Sequence, residues 1–423
     1  MFGWEFPPHI TGGLGTACFG ITKGLAKHNV DIIFVVPKIF GDEDQSSVRL
    51  INAGDVVITE KNFNYQEYWK HISYLEINSN LIPYVSAEDF IKITEQNNLI
   101  NTEITESGFS TKFKFSGKYT KNLMEEVSRY ALIANVLAKE QTFDVIHAHD
   151  WLTYPAGMTA KEVSGKPLII HVHATEFDRS GENINQYVYD IEKKGMEVAD
   201  KVITVSNFTR NIVIERYGID PDKVITVHNA VDIEDYETEE HYYKKNVDEK
   251  IVTFLGRITF QKGPDYFVEA AAKVLKKYEN VRFVMAGRGD MMHRMIKRVA
   301  KLGISNKFHF AGFLHGEDVI HMFSISDVYV MPSVSEPFGI SPLEAMRSSV
   351  PVIISKQSGV SEILTHALKV DFWDIDAIAD SIYGLLSYEG LSKMFMKYGK
   401  SEVHNLKWEN AAFKIKCIYE SVV

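Results

Sequence analysis

Two carboxylates, Glu336 and Glu344, stand eight positions apart in Ser335-Glu336-Pro337-Phe338-Gly339-Ile340-Ser341-Pro342-Leu343-Glu344. The residue types predict a loop running into a helix, with Ser341 as N-cap, Pro342 as the first helical residue and Glu344 as the third, a capping box. Open backbone N–H groups at such a helix start, with the helix dipole behind them, favour an anion. Glu336 lies ahead of the cap, in the loop, placed to accept hydrogen bonds from ligand hydroxyls. Phosphates at the N–H groups and hydroxyls at the carboxylates suit a nucleotide-sugar. A capping box by itself accounts for Glu344, whereas a loop Glu before Pro has no comparable structural task.

Three further groups of residues carry chemistry. Arg257 and Lys262 follow the apolar run Ile251–Leu255, at the strand end where open α/β sheets bind ligands. A guanidinium fork and an ammonium point charge together can neutralise a departing diphosphate without metal. Solvated loop cations are the competing account, and Gly263 and Pro264 beside them favour a built site. Gly12 and Gly13 precede a helix expected to run to about His28; glycine there lets a ligand approach the backbone, although a tight turn explains it equally well. Gly287, in Gly287-Arg288-Gly289-Asp290, repeats this pattern as a weak lone G-x-G that could face a nucleoside.

The third group is His147-Ala148-His149-Asp150-Trp151 and His171-Val172-His173-Ala174-Thr175-Glu176. A period of two puts both histidines of each pair on one side of the chain. With Asp and Glu nearby they could hold a metal for hydrolysis. Alternatively His173 and Asp150 line a sugar pocket, exchanging hydrogen bonds with hydroxyls. His147 is expected to be a satisfied core histidine.

The elements that must position these residues alternate. Ile32–Val36, Val145-Ile146, Leu168–Ile170 and Val202–Val205 read as strands in the first half. Ile251–Leu255, Val281–Met285, Asp327–Met331 and Val350–Ile354 do so in the second. Amphipathic helices follow them, such as Pro264 to Tyr278, which is the pattern of stacked βαβ units and parallel sheets. The fold class is therefore α/β with two domains: 1–232, a polar linker 233–249, and 250–404, with a last helix over 405–423. Asn52 to Gln66 and Asn97 to Lys121 read as irregular surface excursions. Met1 to Trp4 reads as a stub of a first strand or as the remainder of one whose first residues are missing.

A chain of 423 residues exceeds one ordinary core. A net charge of −10 argues against a nucleic-acid partner and makes any phosphate site a local positive island. Two cysteines, Cys18 and Cys417, give no disulfide framework, and no apolar run approaches ~20 residues. A cytoplasmic protein without a membrane-spanning segment is expected. Oligomeric state is not written in the sequence.

Taken together the motifs resemble the retaining glycosyltransferases built from two Rossmann-like domains facing across a cleft, the GT-B architecture, and within them the glycogen and starch synthases and their family-4 relatives. The resemblance runs from Gly3-Trp4-Glu5-Phe6-Pro7-Pro8 to the last helix; Glu336 to Glu344 matches the E-x7-E motif and His149-Asp150-Trp151 the synthase side. It implies that Arg257 and Lys262 hold the donor diphosphate, Glu336 sits near the donor sugar and Glu344 binds ribose. It implies that Gly339, Ile340 and Ser341 meet the distal phosphate, Gly12 and Gly13 the diphosphate, His173 the sugar's reacting centre, and Asp150 donor sugar or acceptor. The last helix would cross back to the first domain. The donor would be ADP-glucose or UDP-glucose and the acceptor a carbohydrate, most simply an α-glucan, with no cofactor and no metal. One departure is Ile10, where the synthases typically carry Lys two residues before the Gly-Gly pair. It moves the chain toward family-4 enzymes acting on a small sugar, lipid or glycan. A metal-dependent hydrolase, a phosphorylase and a non-catalytic nucleotide-sugar binder are the rival readings.

Overall fold

The computed structural model describes residues 1–9, 12–59, 100–105, 108–117, 123–231 and 247–423. Residues 233–246 of the expected linker, Ile10, and residues 60–66 of the first excursion lie outside the described residues.

Short runs of Ile, Val, Leu and Phe form the strands because both sheet faces are covered, which is where continuous apolar runs belong. The first sheet contains β1 (Ile33–Val36) paired with β2 (Arg49–Asn52), and the parallel set β6 (Ile146–His149), β7 (Leu168–Val172), β8 (Lys201–Thr204) and β9 (Val224–Thr226). Phe2 joins the two groups, bridging Val35 on one side and Ala148 on the other. Its N–H donates to His147 O at 2.8 Å, and its carbonyl accepts from His149 N at 3.0 Å. The opening residues thus form the short strand between β1 and β6.

The excursions carry regular structure that the sequence reading missed. β3 (Ile58–Thr59), β4 (Ile100–Thr105) and β5 (Gly108–Phe113) make a three-stranded antiparallel sheet. Ile100, Thr102 and Ile104 alternate with polar residues, as do Phe109, Thr111 and Phe113, but the Thr, Ser and Lys content made these segments look like loop.

The second sheet is six-stranded and all parallel, in the order β12 (Phe308–Gly312), β11 (Val281–Ala286), β10 (Lys250–Leu255), β13 (Val328–Met331), β14 (Val352–Ser355), β15 (Leu368–Val370). Helices α1 (Gly13–Lys27), α2 (Leu123–Glu140), α3 (Tyr154–Ser164), α4 (Glu176–Ser180), α5 (Gln186–Val198) and α6 (Asn207–Tyr217) serve the first sheet. α7 (Pro264–Leu275), α8 (Met292–Lys301), α9 (Glu317–Ile325), α10 (Ser341–Arg347), α11 (Ile375–Ser387) and α12 (Glu389–Val403) serve the second.

The final helix, α13 (Trp408–Glu420), packs on the first lobe. Its Trp408, Ala412 and Ile415 share a core with Cys18, Ile21 and Leu25 of α1. The close approach requires glycine: a Cβ on Gly20 would lie 2.2 Å from the Trp408 ring, and one on Gly24 would lie 2.7 Å from both Ala412 Cβ and Trp408 O. His28 Nε2 and Glu409 O, 2.9 Å apart, close the far end of this contact.

Candidate active site

The carboxyl ends of both sheets face the same region. Past β10, a 3-10 turn at Phe260–Lys262 directs the Lys262 ammonium onto the Glu336 carboxylate. Glu336 is therefore not a free loop group: it is buried, and its Oε2 also accepts from Ser333 Oγ at 3.1 Å. Its backbone bridges to Ser358, so the loop is tied into the lobe on both sides. Arg257 is exposed and donates to Gln261 Oε1 at 3.0 Å. Gln261 O in turn accepts from Val334 N at 2.8 Å, linking the two cationic positions to the loop that carries Glu336.

The capping box expected at Ser341 is absent. Ile340 holds the N-cap place in helical conformation, Ser341 is the first helical residue, and no side chain caps α10. Glu344 consequently has no capping task. It is half-buried, burial pushes its carboxyl up, and Arg347 one turn along opposes that shift. A capping box does form elsewhere, at Thr175 and Asp178 opening α4.

Gly12 caps α1 in extended conformation, with open space where its Cβ would be. A Cβ on Gly13 would sit 3.8 Å from Ile340 Cδ1, so the glycine loop of the first lobe and the Gly339-Ile340-Ser341 segment of the second are brought together. Gly287 is accounted for without a ligand: at φ +140 its Cβ would lie 1.8 Å from Gly256 O, so the crossing of two strand-end loops demands glycine.

Asp150 follows β6 in the left-handed region, φ +63. Its Oδ1 accepts from His173 N at 2.9 Å and Ala174 N at 3.2 Å, so one carboxylate oxygen sets the loop that carries His173. Burial raises its pKa, opposed by Arg179, the two N–H groups and Arg257. His173 is half-buried, and burial lowers its pKa to about 3, so its imidazole is neutral. Its Nε2 lies 3.0 Å from His149 Nδ1. His147, expected to be fully satisfied, is only half so: Nδ1 lies 2.6 Å from the Tyr419 hydroxyl of α13, while Nε2 has no partner.

Sequence reasoning missed the residues that hold the lobes together. Ser335 Oγ donates to Asp178 Oδ1 at 2.5 Å, and Ser206 Oγ donates to Pro337 O at 2.5 Å, so the residues flanking Glu336 are anchored on the first lobe. Glu362 accepts from Asn207 N at 2.9 Å and Phe208 N at 2.6 Å, capping α6 from the opposite lobe, and pairs with His228 at 2.9 Å. Behind α4, Glu192 is buried against Arg179, Tyr217 and Glu176 N, and burial pushes its carboxyl up to about 7. The Thr-x-x-Asp spacing at Thr175 was the one available signal.

The family model "Glycosyl transferases group 1" matches residues 235–402, and "Glycosyltransferase Family 4" matches residues 117–235. A glycosyltransferase of Methanocaldococcus jannaschii described as uncharacterized is 28% identical over 99% of this chain and 97% of its own length. A glycogen synthase of Mycobacterium tuberculosis is 22% identical over 86% of this chain and 80% of its own. The solved sucrose-phosphate synthase from Thermosynechococcus elongatus superposes with a TM-score of 0.69 at 17% identity, covering 97% of this chain and 94% of that one. Among the described residues no helix is long and apolar enough to cross a membrane. Two lobes of parallel α/β sheet, a last helix returning to the first lobe, and family matches that together run from residue 117 to 402 give this chain the GT-B fold of the glycosyltransferases.

Proposed function

We propose that the enzyme is a retaining hexosyltransferase that moves a glucosyl unit from ADP-glucose or UDP-glucose to an α-glucan in the cytoplasm. The observation that carries this reading is the Lys262–Glu336 ion pair on a loop anchored to the first lobe through Asp178 and Ser206, with Ile340 beside Gly13. As the anomeric C–O bond breaks, negative charge gathers on the diphosphate and positive charge on the ring. Arg257, Lys262 and the open N–H groups near Gly12 and Ile340 are placed to stabilise the first. Glu336 fixes the Lys262 ammonium, so the cation is preorganised before donor arrives. Glu344 accepts from ribose hydroxyls. Neutral His173 exchanges a hydrogen bond with the sugar, and Asp150 orients the His173 loop. Transfer by this route uses no cofactor and no metal.

The likeness to a glycogen synthase supports the glucan acceptor. A small sugar, lipid or glycan acceptor is the alternative, supported by the family-4 match over the first lobe. A thermal-shift screen with ADP-, UDP- and GDP-linked sugars tests the donor, followed by incubation with maltooligosaccharides and NMR of the product anomer. An upward shift with one glucosyl donor and an α-linked product is expected. Stabilisation by no nucleotide-sugar sinks the reading.

A further inference from the structure

The turn after β10 is fixed on both sides of Phe260. Ile258 before it is 0% exposed; its N–H donates to Arg288 O at 2.9 Å, and its carbonyl accepts from Met291 N at 3.1 Å. Gln261 after it is 5% exposed, and its carbonyl accepts from Val334 N at 2.8 Å. Phe260 itself turns outward and is 55% exposed. Among the described residues it joins none of the hydrophobic cores and meets no other aromatic ring. A single exposed apolar side chain is ordinary, so its placement has to decide. Phe260 stands two residues before Lys262. Across the lobe boundary, a Cβ on Gly181, just past α4, would lie 4.0 Å from its ring. Gly181 has φ +62 and ψ −130, a conformation that favours glycine, so no side chain of the first lobe fills the gap at that point. A contact that served to close the lobes would bury the ring against an apolar partner. This ring is left open at the rim of the cleft.

We propose that Phe260 is the platform on which the acceptor sugar stacks, which deepens the transferase reading and rests on it. A pyranose carries C–H groups on its face and hydroxyls round its edge. A bare aromatic ring removes the first from water and leaves the second free to hydrogen-bond. The ring borders the first lobe through Gly181, whereas the ribose of the donor is assigned to Glu344 on α10 of the second, so the space over Phe260 belongs to the acceptor. Because Ile258 and Gln261 hold the turn, the ring gives up little freedom when a sugar settles on it. The same turn carries Lys262, which pairs with Glu336. Acceptor platform and diphosphate cation are thereby set on one rigid piece, as orientation of two reactants requires.

The test compares the full chain with Phe260→Ala and Phe260→Trp, each checked for native circular dichroism. ADP-glucose and UDP-glucose serve as donors, and maltohexaose as acceptor. Transfer is measured over a range of each substrate, and slow donor hydrolysis is measured without acceptor. Phe260→Ala should raise the acceptor KM about tenfold, the loss expected of one stacked ring, with a smaller change in kcat and no matching rise in donor KM. Phe260→Trp should hold the acceptor KM near the wild-type value. Tyr388→Ala, at an exposed aromatic on another surface, should change neither KM. An acceptor KM that Phe260→Ala leaves unmoved overturns the platform. So does a rise confined to donor KM, which would put the nucleobase on the ring. A chain that splits donor in water but transfers to no maltohexaose overturns the platform while the donor reading stands. A chain that neither binds nor splits either donor fails the transferase reading itself.

Discussion

Lys262 and Glu336 show what a single pair of residues is asked to do. The ammonium is partly exposed and the carboxylate buried, with side-chain exposures of 21% and 8%. The carboxylate's own satisfaction thus depends on the cation that the donor would also use. Lys262→Ala should lower turnover by about 100-fold or more, the ~3–4 kcal/mol typical of a lost transition-state charge contact, with circular dichroism unchanged. It should also lower stability by on the order of 1–3 kcal/mol, because among the described residues Glu336 then keeps the Ser333 hydroxyl and loses its cation. Combining Lys262→Met with Glu336→Gln should recover much of the stability and none of the rate. Urea midpoints and initial rates on the two variants check this, and a wild-type rate in Lys262→Ala removes Lys262 from the site.

Elements set the terms for the histidines and for α13. Burial holds His147, His149 and His171 well below the ordinary imidazole range and His173 at about 3. The unfolded chain takes up protons near pH 6.5 while the folded one does not, so folding is stabilised above that pH and the stabilisation is lost as pH falls. Melting temperature should therefore drop steadily from about pH 6.5 toward pH 4. Replacing His147 and His171 with Gln should flatten that slope, by up to about 1.4 kcal/mol per pH unit for each histidine. An unchanged slope would show that water reaches the histidines between these strands. Between helices, Gly20→Ala forces a methyl into the Trp408 ring and should destabilise by about 1–3 kcal/mol in urea unfolding. The effect should vanish when Trp408 is also shortened.

Across the whole molecule, the loop that carries Glu336 is mounted on both lobes. Ser335 and Pro337 flank Glu336, and both are held by the first lobe through Asp178 and Ser206. Glu362 adds a helix cap across the same boundary. Lobe separation and Glu336 position are thereby coupled, as a closing cleft requires. Glu362→Ala should raise the donor KM several-fold with a smaller change in kcat, and should enlarge the radius of gyration in X-ray scattering without donor. Equal kinetics and equal scattering would show that the cap does not hold the lobes.

Periodicity and motif carried most of the architecture. The alternation of apolar runs with amphipathic helices specified two parallel α/β layers, since only buried parallel strands read as unbroken Val, Ile and Phe. Strand-end positions of Arg257, Lys262, Gly12 and His173 were legible because loops after parallel strands are where such sheets bind ligands. The β4–β5 hairpin was not, because its polar alternation matches loop composition as well as it matches strand. Nor was the start of α10: Ser341 suited an N-cap, but Ile340 holds that place and no side chain caps the helix, an outcome that packing decides. The Lys262–Glu336 pair, the cross-lobe contacts of Asp178, Ser206 and Glu362, and the approach of Phe260 to Gly181 join residues distant in sequence. Local preferences fix which elements form, whereas which side chains satisfy one another across elements is set by the tertiary arrangement that excludes water from both.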